Sequence, residues 1–348
     1  MRFRRAGALV AGAVLSLGVA PCAIAAQSSS GSGVSGPNLV LTNADGECPA
    51  GGACNTYTLN SGDEIQVNLT ATNGYWTQLP ASTDSSVVAL ESESSDASGD
   101  ATALFKVVGA GSADLTAGMT ACPNPPPAGQ QCSTAVQPWE VAIVGKLAAA
   151  MAMTASPTTT VYGQPVTLTA TFATAAGQTP VPTGNVTFYD GATAIGQAPL
   201  TNMGSGGDQA TLTVSTLSGG THELSAVYAG DQTFSGSNTM PVLVTVNPAP
   251  TRVAATPALA DLSGAGVYAF SLSATLTRSD TAAPLAGQQI NFSAGSTPLC
   301  TATTDSRGVA TCDALTEAPA ILASQGYTAA FPGGADYRPS SAPAGLTS

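Results

Sequence analysis

The segment VTLTATF, residues 166–172, returns about 100 residues later as FSLSATL, residues 270–276, and neighbouring motifs return in the same order. In the first copy Val166, Leu168, Ala170 and Phe172 fall on one face and Thr167, Thr169 and Thr171 on the other. A period of two marks a strand with one buried face, because successive side chains of an extended chain point to opposite sides. Similar alternation appears at Val186/Phe188, Leu212/Val214, Leu224/Ala226/Tyr228 and Val242/Val244/Val246, with Gly, Pro and Asp turns between them. The pattern predicts antiparallel strands of a sandwich. GNVTF (184–188) corresponds to GQQINF (287–292), and AVYAGDQTFSGS (226–237) corresponds to AAFPGGADYRPSS (329–341). In that last pair Tyr228 matches Phe331, Gly230 matches Gly333, Phe234 matches Tyr337 and Ser237 matches Ser340. The stretch reads as a turn between strands: Gly230 supplies backbone freedom, Asp231 bonds the turn backbone and Phe234 closes the sandwich end. The boundary between the copies is the Pro-bearing NPAPT, residues 247–251. The offset sets the last strand of the second copy at the end of the chain, which predicts a short or incomplete strand.

Composition supports strands over helices. Only 9% of residues are charged, Lys106 and Lys146 are the only lysines, and Thr, Ser, Ala, Gly and Asn supply the polar surface. The opening MRFRRAGALVAGAVLSLGVAPCAIAAQSS joins an Arg-rich start, an apolar run and a small-residue exit, so residues 1–26 are expected to be a secretory signal peptide. Pro21 before Cys22 argues against lipidation of that cysteine. Residues 27–36, QSSSGSGVSG, form a Gly/Ser linker whose G-x-G-x-x-G spacing lacks the flanking strand and helix of a dinucleotide site. No later apolar run reaches the roughly 20 residues of a membrane span. Without the leader, six basic residues stand against 21 acidic ones. Such a surface repels nucleic acid, which needs clustered Lys or Arg. The expected location is therefore outside the cell or on its surface.

Six cysteines follow the leader: Cys48, Cys54, Cys122, Cys132, Cys300 and Cys312. Export favours disulfides. Six cysteines allow 15 connectivities, and close spacing suggests the pairs 48–54, 122–132 and 300–312. In CTATTDSRGVATC the midpoint is Ser306, inside a turn-like segment, which predicts an antiparallel hairpin with Cys300 and Cys312 facing each other.

VYGQPVTLTATF, PTGNVTFYDGATAIG and HELSAVYAGDQTFSGS resemble the bacterial immunoglobulin-like repeat domains of secreted and surface proteins. Within the unit 150–248 the resemblance covers 154–247 closely, and it covers 251–348 more loosely. It implies an all-β chain of tandem immunoglobulin-like β-sandwiches that act as spacers, adhesion modules or binding modules for a protein or carbohydrate ligand. Residues 37–146 form a third unit, with strands expected at NLVLT, EIQVNLTA, ALFKVV, ADLTAG and WEVAIV. There TNGYW (72–76), VVGAGSADLTA (107–117) and QPWEVAIV (137–144) resemble the three loops of chagasin-like cysteine protease inhibitors. The longer Asn-Pro-Thr-Thr-Gly-Tyr-x-Trp pattern of that family is shortened here to Asn73-Gly74-Tyr75-Trp76, and Gln137 replaces an Arg before Pro138-Trp139. This second resemblance implies a papain-like protease as partner, with Asn73 to Trp76 and Gln137 to Trp139 as the contact residues. Trp76 and Trp139 are the only tryptophans, and sandwiches commonly bury such a ring as a core plug.

Catalytic chemistry has few candidates. His222 is the sole histidine and is expected in a solvated turn at the start of a strand. No G-x-S-x-G elbow, G-x-x-x-x-G-K-[ST] loop or H-E-x-x-H helix is present, so no enzyme activity is expected. The acidic run ESESSDASGD carries Glu91, Glu93, Asp96 and Asp100 without the spacing of a calcium loop, and reads as a solvated loop. Neither a metal nor a cofactor is implied.

Overall fold

A computed structural model describes residues 37–46, 54–72, 74–121, 135–172, 180–202, 208–263, 267–314, 316 and 318–347. The leader, the Gly/Ser linker, Asn73, Cys48, Cys122 and Cys132 lie outside the described residues. The chain divides into two compact units, Met1–Leu147 and Ala148–Ser348.

Strands of the first unit are β1 (Leu39–Leu41), β2 (Thr56–Asn60), β3 (Glu64–Leu69), β4 (Tyr75–Ser82), β5 (Val88–Ser95), β6 (Ala101–Val107), β7 (Gly111–Thr120) and β8 (Val136–Lys146). They form two four-stranded sheets, ordered β1-β3-β6-β5 and β2-β8-β7-β4. Alternation decides which side chains enter the core. Ile65, Val67 and Leu69 of β3 and Phe105 and Val107 of β6 meet Leu115 of β7 and Val141 and Ile143 of β8 in one buried cluster. Each fully buried side chain of this kind contributes about 1.5–3 kcal/mol relative to exposure.

The second unit continues with β9 (Met151–Ser156), β10 (Thr159–Val161), β11 (Val166–Phe172), β12 (Asn185–Asp190), β13 (Thr193–Pro199), β14 (Thr201–Asn202), β15 (Asp208–Val214), β16 (Gly220–Tyr228), β17 (Ser237–Asn238) and β18 (Val242–Asn247). These strands pair among themselves in two sheets, β10-β18-β16-β12-β13 with β17 on β16, and β14-β15-β11-β9. The apolar faces read from VTLTATF and its partners are buried: Val166, Leu168, Ala170, Phe172, Val186, Phe188, Leu224, Ala226 and Tyr228. The pairing is not wholly antiparallel, since β10 runs parallel to β18, as β1 does to β3 and β2 to β8.

After the boundary come β19 (Thr251–Ser263), β20 (Val267–Arg278), β21 (Gln289–Ala294), β22 (Thr297–Thr303), β23 (Val309–Ala314), a short helix α1 (Ala318–Ala323), β24 (Gly326–Phe331) and β25 (Ser340–Thr347). They form one seven-stranded path, β22-β21-β24-β25-β19-β20-β23. The expectation of a short or incomplete last strand is corrected: β25 has eight residues and pairs with both β24 and β19.

Cys300 and Cys312 are disulfide-bonded, with a Cα separation of 6.5 Å. The expected hairpin around them is also corrected. Cys300 lies opposite Phe292 on β21, and Cys312 lies opposite Leu272 on β20, so the bond joins the two outer strands of the path rather than two rungs of one ladder. Between the two strands Thr304 is buried, and its hydroxyl donates to the Leu285 carbonyl at 2.6 Å.

The segment joining the two halves of the second unit is tied down on several sides. The Ala249 amide donates to the Asp336 carbonyl and its carbonyl accepts from the Arg338 amide, at 2.8 and 2.9 Å. Arg278 donates to the Tyr162 carbonyl at 2.9 Å and forms a two-pronged pair with Asp280. The rings of Tyr162 and Tyr337 meet edge to face with centroids 5.3 Å apart. Asp336 accepts the Gly219 amide at 2.7 Å. Ala249 is fully buried.

Candidate functional site

In the first unit, strand register decides which loops meet. Tyr75 and Trp76 at the start of β4 lie opposite Thr120 and Met119 of β7, and Met119 lies opposite Gln137 of β8. The motifs at 74–76 and 137–139 therefore share one end of the sheet β2-β8-β7-β4. The turn of the third motif does not join them, although its last residue, Ala117, lies opposite Trp139. β7 begins at Gly111 opposite Gly145 and ends at Thr120 opposite Val136, so the turn at 108–110 occupies the far end of the sheet.

The 95–99 segment takes that place instead. The Trp76 amide donates to the Gly99 carbonyl at 3.2 Å. A cleft of about 240 Å³ is lined by Gly74, Tyr75 and Trp76 on one side and Ser95 to Gly99 on the other. Asp96 shapes this turn, because its carboxylate accepts the amides of Ser98 and Asp100 at 2.9 and 3.0 Å. Asp100 reaches across to accept the Ala71 amide at 2.7 Å. The acidic run was expected to be a solvated loop throughout, yet Glu91 and Glu93 belong to β5 and only its second part turns. The sequence signal was an aspartate two residues before Ser98-Gly99, the composition of an Asx turn.

Both tryptophans are buried, Trp76 to 8% and Trp139 to 2% exposure. The Trp139 indole donates to the Thr42 carbonyl at 2.9 Å, and Gly46 of the 3-10 turn Asn43–Gly46 lies close against the ring. A buried indole needs a partner for its N–H, and this one anchors the start of the domain. Both indoles thus pack in the core cluster of this unit. Gln137 and Pro138 are exposed, and Gly74 and Tyr75 are half-buried. Asn73 lies outside the described residues.

His222 is likewise corrected. It sits within β16 at 9% exposure, not in a solvated turn. Its ring lies 2.6 Å from Asp190 and 2.8 Å from the Ser218 carbonyl. Burial lowers the imidazole pKa, but the hydrogen bonds to Ser218 and Asp190 and the charge of Asp190 outweigh it and leave it raised. Of the remaining cysteines, Cys54 is disulfide-bonded. Among the described residues no three His, Cys, Asp or Glu side chains are grouped to hold a metal ion, and no helix is long and apolar enough to cross a membrane.

Residues 153–247 match the family model described as the Bacterial Ig-like domain (group 3). Among solved structures the chain is similar to the cysteine protease inhibitor EhICP2 of Entamoeba histolytica, with 15% identity over 32% of this chain and 100% of that one, at a TM-score of 0.21. It is similar to the adhesin InvE of Yersinia pseudotuberculosis, with 17% identity over 57% of this chain and 59% of that one, at 0.31. A further similarity is to the Escherichia coli adhesin FdeC, with 15% identity over 80% and 88% of the two chains, at 0.24. No curated protein matches the chain.

Proposed function

We propose that this is an exported, non-enzymatic protein of three immunoglobulin-like domains, 37–146, 150–248 and 251–348, preceded by a signal peptide and a linker. It serves as a spacer that presents a binding surface outside the cell. The observation that carries this reading is the tied junction at Pro248–Pro250, where backbone bonds, a ring pair and Asp336 fasten one sandwich to the next. A spacer needs such fastening, because a free linker would let the modules swing. The bridge from Cys300 to Cys312 suits an oxidising compartment. The sole histidine is spent on structural hydrogen bonds, which supports a chain without acid–base catalysis. Small-angle scattering from the mature protein tests the spacer role: one well-defined distance for residues 148–348 is expected, and a broad distribution defeats it. Binding of the mature protein to a panel of envelope, host and polysaccharide ligands tests presentation, with saturable binding to one class expected.

A second reading, inhibition of a papain-like protease by the first domain, rests on the shared sheet end of Tyr75 with Gln137 and Pro138. Titration of papain decides it: stoichiometric inhibition weakened by Gln137→Ala supports the reading, and full papain activity at micromolar protein removes it.

A further inference from the structure

The ring of His222 is held between two acceptors from different parts of its domain. Nδ1 lies 2.6 Å from a carboxylate oxygen of Asp190 on β12, and Nε2 lies 2.8 Å from the carbonyl of Ser218. A carbonyl oxygen and an ionised carboxylate only accept, so both ring nitrogens have to donate, and only the imidazolium does so. A neutral ring carries one proton. Either tautomer then turns a nitrogen lone pair toward one of the two oxygens.

The Ser218 carbonyl belongs to the same peptide group as the Gly219 amide at the junction. The next residue, Gly219, donates its amide to Asp336 at 2.7 Å. Its α-carbon packs so closely on the Ala335 carbonyl that a Cβ would collide with it. One turn therefore carries both the histidine's acceptor and the docking contact of the second sandwich.

We propose that His222 is a pH-sensitive latch on this junction: the imidazolium holds the Ser218–Gly219 turn against Asp336, and loss of its proton loosens the two sandwiches. Asp190 is the titratable group that faces the ring. On the other side of β16, β18 sets Val244 opposite His222. Glu223 occupies the alternate, exposed face of β16, and Asp336 reaches the turn through Gly219. The direction of the effect follows from linkage. With its folded pKa raised above 6.5, the latch acts in full below pH 6.5 and is released as pH climbs through the raised value.

The chain has one histidine, so its ring proton gives a single magnetic resonance titration in the mature, full-length protein. The Gly219 amide shift is expected to move with the same midpoint, and its exchange protection, corrected for intrinsic rates, to fall about fivefold across the titration, as loss of one hydrogen bond implies. In His222→Gln the Gly219 amide is expected to be weakly protected at every pH, with no transition. A Gly219 midpoint different from that of the ring, or protection unchanged through the titration, overturns the proposal without any variant. A transition that survives in His222→Gln overturns it as well.

Discussion

In both copies of the repeat the chain leaves an aromatic-ended strand through a glycine of positive φ, 89° at Gly230 and 80° at Gly333. Both then close a backbone hydrogen bond, from Asp231 to Phe234 at 3.0 Å and from Gly334 to Tyr337 at 2.9 Å. The side chains on this shared frame work differently. In the first copy Asp231 accepts the Thr233 and Phe234 amides with one oxygen and the Thr183 amide and hydroxyl with the other, while Phe234 is buried. The turn is sealed within its own sandwich. In the second copy the aspartate stands at 336, where it accepts Gly219 from the preceding sandwich, and Tyr337 meets the ring of Tyr162. A carboxylate moved along an unchanged turn converts a strand connection into a docking element.

The same comparison extends to how each sandwich closes. The first half has no cysteine, whereas the second links its outer strands through Cys300 and Cys312. Replacing both with Ser is expected to destabilise the second half by about 3 kcal/mol, the effect of releasing a loop of this length. Denaturant unfolding followed with a probe in each half should show the first half unmoved, and equal loss in both would mean that the junction fuses them into one cooperative unit. Asp231→Ala is expected to cost about 2 kcal/mol, since the carboxylate accepts several hydrogen bonds as a charged group. Burial pushes the Asp231 pKa up, but the bonds from Phe234, Thr183 and Thr233 outweigh it and hold the pKa at about 2. That contribution is therefore present above pH 3.8 and is lost as pH falls toward about 2, which acid unfolding of wild type against Asp231→Ala measures. Asp336→Ala is expected to cost about 1 kcal/mol, for one hydrogen bond. Unlike Asp231→Ala, it should speed hydrogen exchange at the Gly219 amide of the preceding sandwich, and exchange unchanged there would mean that Asp336 serves only its own turn.

Much of the fold was legible because burial of one sheet face writes a period of two into the sequence. The five strands expected in the first unit are present, as β1, β3, β6, β7 and β8. Two further strands lack a legible pattern for local reasons. β4 shifts register twice, between Trp76 and Gln78 and between Gln78 and Ala81, which breaks the alternation. β5 shows solvent-exposed side chains over most of its length. The candidate site was legible only in part. Gln137 and Pro138 stand exposed at the same sheet end as Tyr75, with β7 between them, but Ser95 to Gly99, and not the turn of the 107–117 motif, form the neighbouring loop. A turn's position along the chain does not tell which end of the sheet it reaches until strand directions are assigned.

The sequence by itself determined the all-β character, the repeated unit and the inward-facing residues, since these follow from periodicity and turn chemistry within a few neighbouring residues. It also marked Cys300 and Cys312 as a pair. Only the tertiary structure decided that their bond spans two sheet edges, that Trp139 is pinned to Thr42, and that His222 lies between Asp190 and Ser218. Each of these depends on groups far apart in the chain, and a local pattern carries no record of which distant oxygen a buried donor will find. Asp336 is the sharpest case. Read locally it is one more turn aspartate, and its partner Gly219, in the preceding sandwich, is what makes it part of the junction.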